Sequence, residues 1–294
     1  MKPIDPDKIT KNKKRNQSIV FGLFTIMSYG VVAILFVILS FIIFKGFSAI
    51  SWGFITQMPE DGMTKGGIYP AIIGTLSLVL GSMIFAFPVG VLAAIYMNEY
   101  VKDGIVKKII KQMTNNLAGI PSIVFGLFGM ALFVNNLKFG ESILAGSLTL
   151  GLLALPVVIR TTEESLKSVD NTFRHASLAL GASKLETIRR VTLPIAFPNI
   201  ITGLILSVGR VSGETAPILF TVAAYFLPKL PTSIFDQVMA LPYHLYVIST
   251  SGTNIEASRP IAYGTALVLI VIVLIVNLLA NGLRKYFGNK VKMN

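Results

Sequence analysis

Six long apolar stretches, separated by short segments that carry nearly all of the charged residues, dominate the pattern of hydrophobic and polar positions. Each stretch is long enough for a helix to cross a hydrocarbon core of roughly 30 Å at about 1.5 Å per residue. The first is too long for the apolar region of a signal peptide, and no small-residue cleavage site follows it, so we expect it to be retained. The pattern predicts an all-α, polytopic membrane protein with six transmembrane helices at about 18–44, 69–96, 117–134, 143–159, 200–226 and 261–283.

The distribution of Lys and Arg residues predicts the orientation of these spans. Twenty of the 26 lie in the two tails or in the segments after spans two and four, five lie in the opposite segments, and Arg210 lies inside span five. Because cytoplasmic segments are enriched in Lys and Arg, we expect both termini in the cytoplasm of a bacterial plasma membrane. We expect one transmembrane domain at 18–284, whose core comprises about 66–284. A cytoplasmic tail, 1–17, precedes this domain, and a second cytoplasmic tail, 285–294, follows it.

Composition excludes several classes of function. Only 14% of the residues are charged and 53% are hydrophobic, so the net charge of +12 indicates cytoplasmic flanks of spans rather than binding of nucleic acid. The absence of cysteine excludes disulfides and thiol chemistry, and the two His residues provide no metal site. No Gly-Lys dipeptide occurs, so the chain lacks a phosphate-binding loop for ATP, and we expect neither a cofactor nor an enzymatic activity.

The segment after span four, 160–198, predicts two short helices joined at a glycine. Asn171 is placed to cap the first helix, which would run to Leu180 and end at Gly181. Ser183 and Glu186 have the spacing of a capping box, which opens the second helix. Pro194 and Pro198 are expected to end that helix and to begin span five. Apolar faces remain on both helices, to be covered either by the protein's own spans or by a partner: Leu178, Leu180, Leu185, Ile188 and Val191.

The spacing of this segment resembles the EAA loop of ATP-binding-cassette (ABC) importer permeases. That motif reads Glu-Ala-Ala, three residues, Gly, nine residues, Ile-x-Leu-Pro, and this chain departs from it at His175, Ser177 and Val191. The resemblance implies a type I ABC importer permease fold and a loop that docks an ATPase subunit. The coupling residues would then be His175, Ala176, Ser177, Gly181, Leu193 and Pro194.

Predicted span five contains two charged residues, Arg210 and Glu214, at i,i+4 spacing near its centre. A charge at the centre of a membrane helix costs roughly 2.5–3.5 kcal/mol on insertion scales, so the pair requires a reason. One interpretation is a self-neutralising pair that fixes the rotation of the helix. The other is a transport path, in which the guanidinium binds an oxyanion and Glu214 holds or gates it.

Several stretches resemble phosphate-specific importer permeases of the A type. They are GGIYPAIIGTL (66–76), PVGVLAAIYMNEY (88–100), LAGIPSIVFGLFG (117–129), LPVVIRTTEESLKSV (155–169) and GRVSGETAPILFT (209–221). The resemblance implies a heterodimer with a homologous C-type permease, two ATPase subunits, an extracellular phosphate-binding protein and phosphate as the transported ion, in a shell of membrane lipid. It also implies a substrate path containing Arg160, Arg210, Glu214 and Thr215, although Arg160 is equally interpreted as a residue that flanks span four at the membrane surface.

Three other functions remain open at this point. A permease for molybdate or sulfate differs from a phosphate permease only in the anion. A secondary transporter is disfavoured by the helix-glycine-helix loop and by the lack of inverted repeats. A membrane enzyme is disfavoured because no cluster of nucleophile, His and carboxylate side chains is present in the sequence.

Overall fold

The computed structural model describes residues 6–251 and 255–293, and most of them are helical. A short antiparallel hairpin pairs its two strands in the register Pro59 with Gly66. The elements of the first half are α1 (Pro6–Phe47), α2 (Trp52–Thr56), β1 (Pro59–Glu60), β2 (Lys65–Gly66), α3 (Tyr69–Ile95), α4 (Ile105–Ala118) and α5 (Ser122–Gly129).

The second half continues the all-α architecture that the sequence predicts. Its elements are α6 (Ile143–Lys167), α7 (Asn171–Ala179), α8 (Lys184–Thr187), α9 (Leu193–Ser212), α10 (Ala216–Leu219), α11 (Leu241–Thr250) and α12 (Ile255–Met293). Three π-helical turns extend α3, α5 and α8 at their carboxyl ends: Tyr96–Tyr100, Met130–Asn136 and Ile188–Thr192. Helix α1 begins within the predicted tail 1–17 and α12 extends through the predicted tail 285–294, of which residues 1–5 and 294 lie outside the described residues.

Five helical runs in the described part of the chain are long and apolar enough to cross a membrane. They are Gln17–Phe47, Tyr69–Tyr100, Ile143–Lys167, Lys184–Ser212 and Ile255–Asn289. The remaining predicted span, the third at 117–134, is the second arm of a pair, Ile105–Ala118 and Ser122–Asn136, whose arms are bent by 99°. Gly119 and Pro121 lie at the bend, and a proline there prevents the helix from continuing. The number six is reached when this bent pair is counted as one span.

The bounds predicted for span five are wrong at both ends. Pro194 and Pro198 do not interrupt the helical run, which continues from Lys184 to Ser212. The π-helical turn at Ile188–Thr192 directly precedes Pro194, and such local adjustments accommodate proline within membrane helices. At the other end the helix stops at Ser212, and a separate short turn begins at Ala216 because Pro217 supplies no backbone N–H.

Helices α3, α6 and α9 form the centre of the protein, and small residues allow their backbones to approach closely. A Cβ atom on Gly81 would lie 2.3 Å from the Ser147 hydroxyl, and one on Gly203 would lie 1.9 Å from the Thr161 hydroxyl. Membrane helices associate through such small residues because lipid gives no hydrophobic drive between them. The buried apolar side chains at this centre include Leu78, Met83, Leu150, Ala154, Val208 and Val211.

Polar loops gather at two opposite ends of the bundle. At one end the segment before α11 closes over the starts of α3 and α6, with Leu241 donating its N–H to the Thr75 hydroxyl at 2.8 Å and Ser142 donating to the Thr221 carbonyl at 3.0 Å. The other end contains α4, α7 and α8. Helix α1 packs antiparallel to α12, with the rings of Phe41 and Tyr263 5.7 Å apart edge to face, so the start of α1 and the end of α12 lie on the side of α7 and α8.

Buried His244 lies on α11 and is 2% exposed. Neither of its ring nitrogens has a hydrogen-bond partner among the described residues. Burial disfavours the imidazolium and lowers the pKa of His244 from 6.5 to about 4. Since the unfolded chain binds a proton at higher pH than the folded one, this group stabilises the fold above pH 6.5 and loses that contribution as the pH falls toward 4.

We therefore expect His244→Phe to make the fold less sensitive to acid, because Phe fills the same apolar site without a proton to bind. In detergent, the free energy of unfolding of the unmodified protein should fall by about 3 kcal/mol more than that of the variant between pH 7 and pH 4. The matched control is His175→Phe, at the chain's other His and on an exposed helix. Equal acid sensitivity of all three proteins would contradict this account of His244.

Candidate functional site

The charged pair lies at a break in the helix rather than on one helical face. Arg210 is in the last turn of α9, and Glu214 follows the end of that helix. The Arg210 Nε and Glu214 Oε1 atoms are 3.9 Å apart, which is an ion-pair distance but too long for a hydrogen bond. The prediction of an ion pair is confirmed, and the prediction of an i,i+4 pair on a continuous helix near the centre of the span is wrong.

The guanidinium of Arg210 makes no hydrogen bond to any residue that the structure describes, while its side chain is only 32% exposed. Glu214 is more buried, at 17%. A small cavity of about 10 Å³ lies beside Glu214, with walls from α3, α6, α9, α10 and α11, which is room for about one water molecule. The site therefore presents a partly buried cation whose donors are free and a carboxylate that faces the centre of the bundle.

Thr215 completes the break between α9 and α10. Its carbonyl accepts the N–H of Leu219 at 3.1 Å, but its hydroxyl does not cap α10. The break between the two helices is short and includes only Gly213, Glu214 and Thr215. Even within it, the N–H groups of Gly213 and Glu214 donate to the carbonyls of Arg210 and Val211. Thr215 thus lies at the same break as Glu214, and its place in a substrate path stays a prediction.

Arg160 lies at a different depth from Arg210. The side chain of Thr161 fills the space beside Gly203, which is seven residues before Arg210 on α9 and so about 10 Å away along the axis. Arg160 is exposed and its Nε donates to Glu164 Oε1 at 3.2 Å. It lines a groove of about 180 Å³ between α4 and α6, together with Lys111, Thr114, Asn115, Glu163 and Lys167. The structure does not bring the two arginines together.

An ion cluster around the largely buried Glu163, beside Arg160, was not found by reasoning from the sequence. Glu163 Oε1 lies 2.5 Å from Lys111 Nζ and 2.7 Å from Lys167 Nζ, and the Glu163 side chain is 11% exposed. The i,i+4 spacing of Glu163 and Lys167 was the available signal, but the contact with Lys111 depends on the bend between α4 and α5. The cluster joins α4 to the end of α6.

The predicted loop of two helices joined at Gly181 is observed, with one change at its start. Gly181 has φ of +85°, and Ser183 and Glu186 form both bonds of the capping box. The first helix is capped by Asp170 rather than by Asn171, since the Asp170 carboxylate accepts the Thr172 N–H at 2.8 Å. This backbone hydrogen bond holds the pKa of Asp170 below its usual value.

The two helices of this loop are exposed along one side. No residue of α7 is buried, His175 and Ala176 are exposed, and Ser177 bonds the Thr187 hydroxyl at 2.9 Å. Leu193 packs on the buried cluster that contains Leu166, whereas Pro194 is exposed. Ile188 is covered by the protein itself, but other apolar side chains remain uncovered: Phe173 (53% exposed), Leu178 (47%), Leu180 (89%) and Leu185 (66%).

Comparison with known families decides the class of protein. The model of the family described as binding-protein-dependent transport system inner membrane component matches residues 86–293. The chain belongs to this family. The match includes the helix break and the glycine-joined loop of this inner membrane component.

Individual relatives agree with the family. This inner membrane component is 35% identical over 295 residues to "Probable ABC transporter permease protein YqgI" of Bacillus subtilis, covering 96% of this chain and all of that protein. It is 38% identical over 287 residues to "Phosphate transport system permease protein PstA" of Mycobacterium leprae, covering 95% and 91% of the two chains. Its fold is similar, with a TM-score of 0.63 at 17% identity, to a chain of a bacterial ABC transporter involved in the import of the acidic polysaccharide alginate, over 95% of this chain and 99% of that one.

The conformation of Gly181 gives a test of the loop. A Cβ atom there would meet nothing within 4 Å, so substitution is strained by backbone conformation and not by crowding. Gly181→Val should disfavour the junction of α7 and α8 and lower the free energy of unfolding in detergent by about 1–2 kcal/mol. Gly181→Asn is the matched control, because Asn tolerates positive φ, and it should lower that free energy by much less. The account of Gly181 fails if the two variants are destabilised equally.

Proposed function

We propose that this inner membrane component is one permease subunit of an ATP-driven importer for inorganic phosphate. The observation that carries the proposal is the free guanidinium of Arg210 at the helix break, 3.9 Å from Glu214. Support also comes from relatives named as phosphate transport permeases, at 38% identity in Mycobacterium leprae and 34% in Haemophilus influenzae.

Arg210 supplies the anion-binding group in this proposal. A guanidinium remains protonated at any physiological pH and presents paired N–H donors that match two oxygens of a tetrahedral oxyanion. Its donors make no hydrogen bond within the described residues, so an arriving anion displaces no existing one. The low exposure of the site strengthens the attraction relative to bulk water.

The carboxylate of Glu214 favours the binding of phosphate over other tetrahedral oxyanions. Phosphate carries at least one proton near neutral pH and donates a hydrogen bond to a carboxylate, whereas sulfate and molybdate are fully deprotonated and would only be repelled. An Arg and a Glu side by side therefore fit a protonated anion. Thr215 provides a further hydroxyl at the same break.

Arg160 supplies a second cationic position nearer the cytoplasm, about 10 Å along the path. Its Nη1 and Nη2 atoms have no hydrogen bond within the described residues, and Thr114 and Asn115 line the opposite wall of the groove. In this arrangement an anion leaving Arg210 meets Arg160 before it is released.

The exposed loop of α7 and α8 forms the docking surface for an ATPase subunit, with His175, Ala176, Ser177, Gly181, Leu193 and Pro194 as its motif residues. Uncovered leucines on a cytoplasmic loop require a partner, and Leu180 at 89% exposure lies beside Gly181 at the turn. The complete importer contains a homologous C-type permease, two ATPase subunits and an extracellular phosphate-binding protein. Both termini lie in the cytoplasm of a bacterial cell, which places the loop on the ATP side.

A permease for sulfate or molybdate is the second candidate, since the guanidinium fork fits any tetrahedral oxyanion. An excess of each unlabelled anion over radioactive phosphate in an uptake assay separates the candidates. Dependence of uptake on ATP when the proton gradient is maintained excludes an ion-coupled transporter.

Arg210→Gln should abolish phosphate uptake without impairing membrane insertion, because the anion loses its charged ligand. Arg210→Lys should also lose most of the uptake, since an ammonium does not reproduce the planar fork. Uptake is measured in cells that lack other phosphate importers, with the amount of protein in the membrane determined by blotting.

The double variant Arg210→Gln with Glu214→Gln distinguishes a transport role from a structural ion pair. A structural pair is replaceable by neutral groups at little cost, whereas an anion path without its cation stays inactive. We expect the double variant to be as inactive as Arg210→Gln alone. Uptake near the unmodified rate in the double variant would remove Arg210 from the substrate path.

The orientation is tested by two matched Lys→Cys substitutions, because the chain has no cysteine of its own. Lys229 and Lys108 are both exposed, and they lie at opposite ends of the bundle. An impermeant thiol reagent added to sealed cells should label Lys229→Cys, and label Lys108→Cys only after the membrane is permeabilised. Labelling of Lys108→Cys in sealed cells would reverse the proposed orientation.

A further inference from the structure

Arg174 is the residue of α7 that attaches this exposed helix to the transmembrane bundle. Its Nη1 donates to the Val169 carbonyl at 2.7 Å, and its Nη2 donates to the Leu166 carbonyl at 2.6 Å and to Glu99 Oε1 at 3.3 Å. A fourth contact joins Nη1 to Asn171 Oδ1 at 3.0 Å. The side chains of Arg174 and Glu99 are only 15% and 10% exposed.

These contacts connect three helices through one guanidinium. Leu166 lies in the last turn of α6 and Val169 just beyond the helix, and Arg174 donates to both carbonyls at a helix end where regular α-helical partners run out. Glu99 lies in the π-helical turn that ends α3. Helices α3 and α6 are two of the three at the centre of the bundle, so a displacement of α7 acts directly on them.

Helix α8 is attached to the same point. Lys184 Nζ bonds the Glu99 backbone carbonyl and lies 4.9 Å from the centre of the Tyr100 ring. Both helices of the loop therefore converge on the end of α3. Charge-assisted hydrogen bonds in a partly buried site are among the strongest polar contacts available to a protein.

We propose that Arg174 is a positioning residue for coupling: it transmits movement of the loop, driven by the ATPase, to α3 and α6. The proposal rests on the docking role of the loop given above but not on the identity of the anion. The exposed apolar side of α7 receives the movement, and the Arg174–Glu99 attachment makes the helix move together with the spans. A Lys at this position supplies charge but not the two parallel N–H donors, so it replaces the guanidinium only in part.

The test uses the complete importer, with its partner permease, ATPase and binding protein, in proteoliposomes. Arg174→Gln should retain ATP hydrolysis while the phosphate transported per ATP falls about tenfold or more, because a charged hydrogen bond to a buried partner shifts an equilibrium by that much. Glu99→Gln should behave alike, and the double variant should be no worse than Arg174→Gln. Arg174→Lys should lie between Arg174→Gln and the unmodified protein.

Arg189→Gln is the matched control. Arg189 is exposed in the π-helical turn that follows α8, outside the docking helices α7 and α8, and forms no hydrogen bond or ion pair within the described residues, so this variant should transport normally. Equal loss in Arg189→Gln and Arg174→Gln would overturn the proposal, because any loss of positive charge on the loop would then suffice. A parallel fall of hydrolysis and transport in Arg174→Gln and in Glu99→Gln would also overturn it, because the contact would then serve only folding or assembly.

A second measurement does not depend on which anion is carried. Nitroxide labels on Lys102→Cys and Ala179→Cys report the distance between the end of α3 and the end of α7, both positions being exposed. We expect a single narrow distance distribution in the unmodified complex and a broad one in Arg174→Gln. Narrow distributions in both would overturn the proposal. If the importer carries another anion, phosphate transport is absent from the unmodified protein itself, while this distance test still decides the role of Arg174.

Discussion

The hydrocarbon core offers no water to unpaired backbone groups, and this constraint determines where the chain is permitted to leave the helix. The break at Gly213–Thr215 places Glu214 against side chains of α3, α6, α10 and α11, while Gly213 is exposed. The side chains of Glu214 and Arg210 are only 17% and 32% exposed. A helix end that would be costly against lipid therefore becomes the place where a charged pair is kept.

Close packing makes that arrangement rigid. Gly81 and Gly203 bring α3 and α9 against side chains of α6, at distances that exclude even a methyl group. In the coupling that we propose, packed helices of this kind move together, so a force applied at the loop end reaches the break without a flexible intermediate. The Arg174–Glu99 contact and the Lys111–Glu163–Lys167 cluster lie at the end of the bundle where that force would enter.

The membrane helices and the local turns of this structure were predictable from the sequence, whereas the end of α9 and the long-range side-chain contacts were not. Long apolar runs specify membrane helices, and a glycine followed by a capping box specifies the turn at Gly181, since both depend on local physics. The end of α9 at Ser212 was missed because the polar residues 212–215 are too few to separate the apolar stretch before them from the one that begins at Ala216. The cap at Asp170 was missed by one residue, and the Glu99 and Lys111 contacts join segments far apart in the chain. The sequence therefore identifies candidate site residues, but which of them face one another depends on tertiary packing.

Helix α1 has a consequence for how the protein is made. No residue of α1 from Gln17 to Lys45 is buried, and α1 packs against α12, the last helix that the structure describes. About 200 residues separate the end of α1 from the start of α12. At roughly 5–20 residues per second of translation, α1 waits in the bilayer for about 10–40 s before its neighbour is synthesised. Its even coating of large aliphatic and aromatic side chains suits that interval, because a helix that is apolar all round is stable in lipid without a protein neighbour.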